Sequence, residues 1–356
     1  MLLTAVTFIF VLGILIFIHE LGHFLLAKRV GIKVERFSLG FPPDIISRKY
    51  GDTTYSIGMI PLGGYVKMAA EHPHEEATGA PDEFMSRTVG ERAAVIFAGP
   101  FMNYVLSIVL LIGIFLFAGR AVFDESRIVV GEVNDGSPAQ MADLRVDDVI
   151  IAVNGEYVTR FDSLRSRINA VVNSELDLTW LRGQDTIMAT LTTAAQEVPN
   201  LDGRYDTVGI IGISEKVIGY ESYSIGESIS QGFVTAHVIV WETVKFIKKL
   251  VTGEVSAKLI GGPIFIAQQS GKEVRKGAAN LFFFMALLSV NLAVLNVLPI
   301  PILDGGHLVF LFMEKIKGSP VSVRARVVAQ QIGLFLLLGL ILVVTYNDIL
   351  RWIRGL

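Results

Sequence analysis

The sequence predicts a polytopic α-helical membrane protein: four transmembrane helices, a β-hairpin region and an inserted water-soluble α/β domain. Three observations carry that expectation. Four apolar runs reach membrane-spanning length, a long polar stretch between the second and third runs has strand and turn signatures, and the composition is too apolar for a soluble chain. Of 356 residues 52% are hydrophobic and only 18% are charged, where ordinary soluble domains carry about 25% charged residues. A net charge of −3 gives no global basic field, and no nucleic-acid motif is present, so nucleic-acid binding is not expected. With no cysteine, disulfides and thiolate metal sites are excluded.

A helix needs about 20 apolar residues to cross the hydrocarbon core. The runs that qualify are Met1 to Ala27, Ala93 to Ala118, Gly277 to Leu303 and Val327 to Asn347. A signal peptide would need a basic start and a small-residue cleavage pattern, and the first run has neither; it is expected to remain a span. Lysine and arginine near span ends set orientation. Lys28, Arg29, Lys33 and Arg36 follow the first run, Arg87 and Arg92 precede the second, and Lys315, Lys317, Arg324 and Arg326 separate the last two. Those short loops are expected on the cytoplasmic side, and the segment from Gly119 to about Asn280 outside. Arg351 and Arg354 pull weakly the other way.

Within the outer segment, "RIVVGEV" and "DDVIIAVNGEYV" read as strands, the second ending in an Asn154-Gly155 turn. "FDSLRSRINAVV" places Leu164, Ile168 and Val171 on one helical face. "LDLTWLRGQDTIMATLTT" reads as a hairpin around Arg182 to Asp185. "GSPAQMADLRVDDVI" followed by "VNG" resembles a PDZ domain of the bacterial protease type, with Asp143 and Asp147 where glycines are usual. Such domains bind an extended peptide or chain end by strand addition; a mixed α/β spacer is the alternative. The stretch 228–253 is amphipathic and is expected to lie at the membrane interface, with His237 structural.

The chemistry lies in the first run. A glutamate at membrane depth needs a partner or a purpose. In "HELGH" (residues 19–23) positions i and i+4 share a helix face, so His19 and His23 can point at one ion with Glu20 beside them. Zn²⁺ accepts imidazole nitrogen, and a catalytic site keeps a position open for water, whose proton Glu20 could take. No third ligand follows His23 in "FLLAKRVGIKV". Asp304, in "NVLPIPILDGGH" at the end of the third run, is the candidate, with His307 next; a helix-capping role is the alternative for Asp304. If both spans run from outside inward, Glu20 lies roughly 10 Å below an interface near Ala27, and Asp304 can reach that depth through backbone that two prolines keep from being helical. His72 and His74 lie in a polar loop and are expected to be solvated.

"HELGHFLLAKRVGIKVERFSLGF", "IPLGGYVKM", "FAGPFMN", "GGPIFIA" and "NVLPIPILDGGH", in that order along nearly the whole chain, resemble the bacterial site-2 proteases, regulated intramembrane zinc metalloproteases. The resemblance implies His19, His23 and Asp304 as zinc ligands, Glu20 as catalytic base, and Asn296 as a residue that holds substrate or stabilises the oxyanion; an interhelical hydrogen bond is the other reading of Asn296. It also implies that the "KVERFSLGF" and "TTYSIGMIPLGGYVKM" strands, with an expected turn at Gly63-Gly64, dip into the membrane as a hairpin loop. Many relatives have Gly-Phe-Gly-Pro where this chain has Gly40-Phe41-Pro42-Pro43, and only one PDZ-like domain fits the insert where some relatives have two.

The expected organisation is residues 1–118 with the first two spans, the HExxH and the hairpin; 119–216, the PDZ-like domain; 217–276, amphipathic interfacial helices; and 277–356, the last two spans with the LDG motif. The expected activity is endoproteolysis within the bilayer of an inner membrane, toward its cytoplasmic side. Substrates implied by the resemblance are single-pass membrane proteins already trimmed outside, such as anti-sigma factors, or leftover signal peptides. A metal transporter would need polar residues lined up on more than one span, and the second and fourth spans offer few. A non-catalytic scaffold presenting the PDZ-like domain would not need HExxH together with a matching aspartate.

Overall fold

The computed structural model describes residues 2–71, 78–199 and 205–354. His72 and His74 fall outside them. The chain divides into two units: one holds the chain up to Phe115, Ile225–Val251 and the residues from Ile260 on, the other Leu116–Ser224 and Thr252–Leu259.

In the first unit, α1 (Leu2–Arg29) and α2 (Val89–Phe117) flank two long strands, β1 (Val34–Tyr50) and β2 (Thr53–Met68). The strands do not form a plain hairpin. Residues 34–39 pair with 64–68 on one side, residues 36–39 with 54–57 on the other, and residues 44–50 with 53–58. Each strand is therefore bent, and the pair makes four strand segments joined by three ladders, with 64–68 and 44–50 as edges. The chain reverses at Gly51, left-handed at φ 58°, and not at Gly63-Gly64 as the turn signature suggested. Those two glycines lie inside β2 for another reason. The Phe41 ring fills the place of a Cβ at Gly63, and at Gly64 a Cβ would come 2.8 Å from the Ser38 carbonyl. Close approach, not reversal, requires glycine there.

The second unit is built from β3 (Arg120–Val122), β4 (Ile128–Val133), α3 (Pro138–Met141), β5 (Val149–Val153), β6 (Glu156–Tyr157) and α4 (Phe161–Asn169), followed by β7 (Glu175–Arg182), β8 (Asp185–Thr192), β9 (Ala194–Pro199), β10 (Tyr205–Ile210), β11 (Ile213–Glu215) and β12 (Gly219–Glu221). Its main sheet runs β11-β4-β5-β7-β8, with β6 paired to β5. Leu164 and Ile168 of α4 pack with Ile128, Ile150, Leu176, Leu178 and Trp180 in one core. The β7–β8 hairpin turns between Arg182 and Asp185, and Asn154 (φ 51°) with Gly155 (φ 79°) forms the expected turn. Asp143 and Asp147, which stand where glycine is usual, keep the backbone glycine favours, at φ 59° and 74°. Aspartate is among the few L residues that tolerate this region. Asp143 is held by Arg145 and Arg182, each at 3.0 Å, which keep its carboxyl below the usual carboxylate range, Arg182 foremost. Asp147 pairs with Lys216.

The chain then continues with α5 (Ile225–Thr252), α6 (Pro263–Lys276), α7 (Ala278–Val297), α8 (Asp304–Lys317) and α9 (Val323–Arg354). Among the described residues, four helices are long and apolar enough to cross a membrane: α1, α2, α7 and the α9 segment Val323–Arg351. They correspond to the four apolar runs. Much of their apolar surface faces outward, including Phe335, Leu336 and Leu342; in a bilayer such surface needs no protein cover. The third run is shorter as a helix than as an apolar string. It stops at Val297 because Leu298 takes an extended conformation, φ −61° and ψ 146°, before Pro299. The amphipathic stretch is α5, packed through Gly232 against Ile112, through Tyr104 Oη and His237 Nδ1 at 2.8 Å, and through a hydrogen bond from Thr243 Oγ1 to Asn291 Oδ1 at 2.8 Å. Helix α6 has no side-chain cap of its own. Asp348 of α9 supplies one, accepting from the Gly262 and Phe265 N–H groups at 3.0 and 2.9 Å.

Because Asp147 sits in the left-handed region, Asp147→Val should destabilise the protein by about 1–2 kcal/mol, while Asp147→Gly should cost nothing. Thermal unfolding of the two variants checks this, and equal losses would show that the Lys216 pairing, not the backbone, sets the cost.

Candidate metal centre

Helix α1 puts His19 and His23 one turn apart on the face that meets α2. The helices approach closely at two glycines. A Cβ at Gly22 would overlap the Ala98 carbonyl, and one at Gly99 would overlap His23 Nε2 and lie 2.8 Å from His19 Cε1. The imidazoles therefore rest directly on the α2 backbone. There the Nδ1 of His23 lies 2.9 Å from the Val95 carbonyl oxygen, which can only accept, so Nδ1 carries the proton and Nε2 keeps its lone pair.

Asp304 arrives from the other end of the chain. After α7 breaks at the prolines, Leu303 N–H bonds the Ile300 carbonyl at 2.9 Å, and α8 starts at Asp304. Gly305 and Gly306 lie against the backbone of Val297, Leu298 and Ile300, leaving no room for side chains. This tight return aims the carboxylate at α1. Asp304 Oδ2 lies 3.2 Å from His19 Nε2 and 3.7 Å from His23 Nε2, and the two Nε2 atoms are 3.2 Å apart. It is not a helix cap: the N-cap position is Leu303, and Oδ2 is buried without a hydrogen-bond partner.

Three donor atoms around one point, one of them an orphaned carboxylate oxygen, are the arrangement a metal ion satisfies. A tetrahedral Zn²⁺ with bonds of about 2.0–2.1 Å separates its ligand atoms by about 3.3 Å, so the observed spacing fits. Among the described residues, this is the one group of three histidine or acidic side chains close enough to share an ion. Glu20 lines the same cavity, of about 260 Å³, and takes a hydrogen bond from the Val66 N–H on the edge strand of the β1–β2 sheet.

The other candidates are placed as follows. His307 lines the cavity on α8 but is outside the three-donor group. Asn296 is half-buried in the last turn of α7 and is not among the cavity's lining residues. Two features had escaped the sequence reading. Asn103, fully buried, places its side-chain amide 3.3 Å from His19 Nδ1. At another wall of the cavity, Arg92 donates to both oxygens of Glu314, at 2.6 and 3.2 Å, joining α2 to α8. Asn103 had a usable signal, since a lone amide in an apolar span raises the same question as Glu20.

Helices apolar and long enough to span a membrane here bring two histidines and an aspartate together beside a glutamate, a donor set of the kind metallohydrolases use. The chain matches the profile of Peptidase family M50 over residues 7–340, and it belongs to that family, bearing out the resemblance to site-2 proteases. It is 35% identical to a protein of Agrobacterium fabrum provisionally named a zinc metalloprotease, over 97% of this chain and 95% of that one. It is 31% identical to the zinc metalloprotease RasP of Geobacillus kaustophilus, over 98% of each chain. The PDZ domain of the SdrC-like protein of Listeria monocytogenes aligns with 27% of this chain and 93% of that one, at 20% identity and a TM-score of 0.21, too low for the likeness to decide anything about the fold.

The contact at Gly99 gives a direct test. Gly99→Ala should abolish stoichiometric zinc in the purified protein while helix content, read by circular dichroism, stays the same. Gly13→Ala in the same helix bundle, where nothing lies within 4 Å of a Cβ, should keep its zinc. Retention of zinc by Gly99→Ala would show that the imidazoles can shift without losing the site.

Proposed function

We propose that the protein is a zinc endopeptidase of the cytoplasmic membrane that cuts transmembrane segments of single-pass membrane proteins. The observation that carries the reading is the convergence of His19, His23 and Asp304 from opposite ends of the chain, with donor atoms 3.2–3.7 Å apart and Glu20 beside them. His19 and His23 would hold the ion through Nε2 and Asp304 through Oδ2. When bound, zinc supplies Lewis acidity toward a water molecule and the scissile carbonyl. Glu20 takes the proton from the attacking water and delivers it to the leaving amine. Asn296 helps to hold the substrate or its oxyanion; that part rests on the family likeness alone.

A helical substrate presents hydrogen-bonded, shielded peptide bonds and must unwind to be cut. The edge segment 64–68 of β2 supports a way to hold the unwound strand. Its Tyr65, Val66 and Met68 line the cavity, and one side of this segment has no partner in the β1–β2 register, so an extended substrate can add there as a further strand.

The positive charges after α1, before α2 and between α8 and α9 support placing this end of the bundle at the cytoplasmic side. The second unit then lies outside, as a PDZ-like domain. Its groove of about 400 Å³ between α4 and the β10–β11 corner, lined by Leu164, Ile168, Val208 and Ile213, suits an extended chain end. Such a unit admits substrates already trimmed outside, such as anti-sigma factors or remnant signal peptides.

Glu20→Gln should retain one zinc per chain yet cut a model transmembrane substrate at least about 10²-fold more slowly. His23→Ala should lose both zinc and cleavage. Full cleavage by Glu20→Gln would remove the base role; full zinc in His23→Ala would remove the metal site. A separate trial fuses a stably folded domain to the outer end of the substrate. Cleavage should stop, and undiminished cutting would show that the outer unit does not discriminate by size.

A further inference from the structure

Asn103 is fully buried on α2, tied to α7 through its own backbone: Ser289 Oγ donates to the Asn103 carbonyl at 2.7 Å. Its side-chain nitrogen is placed 3.3 Å from His19 Nδ1, while its Oδ1 is buried with no partner. The two ends of an amide are interchangeable by a half-turn, and the hydrogen-bond network decides between them. With the nitrogen toward His19, the N–H must donate to an unprotonated Nδ1. The ring proton then sits on Nε2, aimed at Asp304 and His23, and His19 has no lone pair for an ion. With the oxygen toward His19, Oδ1 accepts the Nδ1–H and the Nε2 lone pair faces the other two donors, while the amide NH2 takes over the partnerless position. This second arrangement is the one His23 already shows, its Nδ1 bonded to the Val95 carbonyl at 2.9 Å.

We propose that Asn103 is a positioning residue whose side-chain carbonyl holds His19 in the tautomer that presents Nε2 to the metal. The assignment rests on the reading of His19 as a zinc ligand. It extends to α2 the general rule that a ligating imidazole donates its second N–H to a fixed acceptor, whose loss typically lowers metal affinity 10- to 100-fold. The remaining explanation for a buried amide, an interhelical contact that only holds α1 to α2, makes different demands: it needs no particular end of the amide and no particular tautomer.

The test measures zinc affinity of the purified full-length protein by competition with a chromophoric chelator, with no substrate present. Asn103→Leu, which keeps the volume and removes the acceptor, should weaken zinc binding about 10- to 100-fold. Asn103→Asp, which can accept but not donate, should bind zinc within about threefold of wild type, as a carboxylate behind a zinc-bound imidazole does. In zinc-free wild type, ¹⁵N spectra should find His19 protonated at Nδ1, a measurement that needs no variant to fold. Wild-type affinity in Asn103→Leu, an Asn103→Asp variant as weak as Asn103→Leu, or a His19 proton on Nε2 would each overturn the assignment. His19→Ala serves as the reference. If it binds zinc as wild type does, the metal site itself falls and Asn103 with it; if only the Asn103 variants leave affinity unchanged, the site stands and the Asn103 role alone is rejected.

Discussion

The cost of leaving an ionisable group unpaired among apolar helices governs this structure. An orphaned buried carboxylate oxygen costs several kcal/mol in such surroundings, and Asp304 carries one directly opposite two imidazole nitrogens. Everything nearby serves to keep that opposition. The glycine contacts at Gly22 and Gly99 bring α1 onto α2, the prolines end α7 early, and Gly305 and Gly306 fold α8 back onto the segment they follow. Each of these is a place where a side chain was given up so that two backbones could touch.

The same economy explains why so little of the spanning surface is packed inside the protein. Helix–helix contacts within a bilayer depend on small residues and a few hydrogen bonds instead of large apolar knobs. The bundle follows this pattern with Gly232 against Ile112, Ser289 on the Asn103 carbonyl and Thr243 on Asn291. The charged pair Arg92–Glu314 is the exception. Both partners are nearly buried and fully engaged with one another, the condition under which a buried ion pair does not cost stability outright.

Much of this was legible in the residues, because strong physical rules leave strong signatures. Four spans follow from apolar length, and the HExxH face follows from helical periodicity in a place where a glutamate is expensive. Asp304 follows from the shortage of a third ligand. What the sequence did not reveal depends on contacts between backbones. A carbonyl such as that of Val95 has no letter of its own, so its bond to His23 leaves no trace. The bent β1–β2 pair alternates in the same way as a simple hairpin, and only coordinates show that residues 36–39 pair on both sides. Gly63 and Gly64 read as a turn because glycine marks reversal and close approach with the same letter. In the second unit the reverse occurred: Asp143 and Asp147 looked like departures, yet the backbone they adopt is the one glycine would have taken.

The two ends of the three-donor cluster lie almost the whole length of the chain apart. During synthesis the histidines enter the membrane long before the aspartate leaves the ribosome, so a nascent or truncated chain holds an incomplete cage. On the reading of this cluster as the zinc site, hydrolytic competence waits for Asp304 to be made, and a broken copy of the gene yields an inert fragment instead of an unguarded protease.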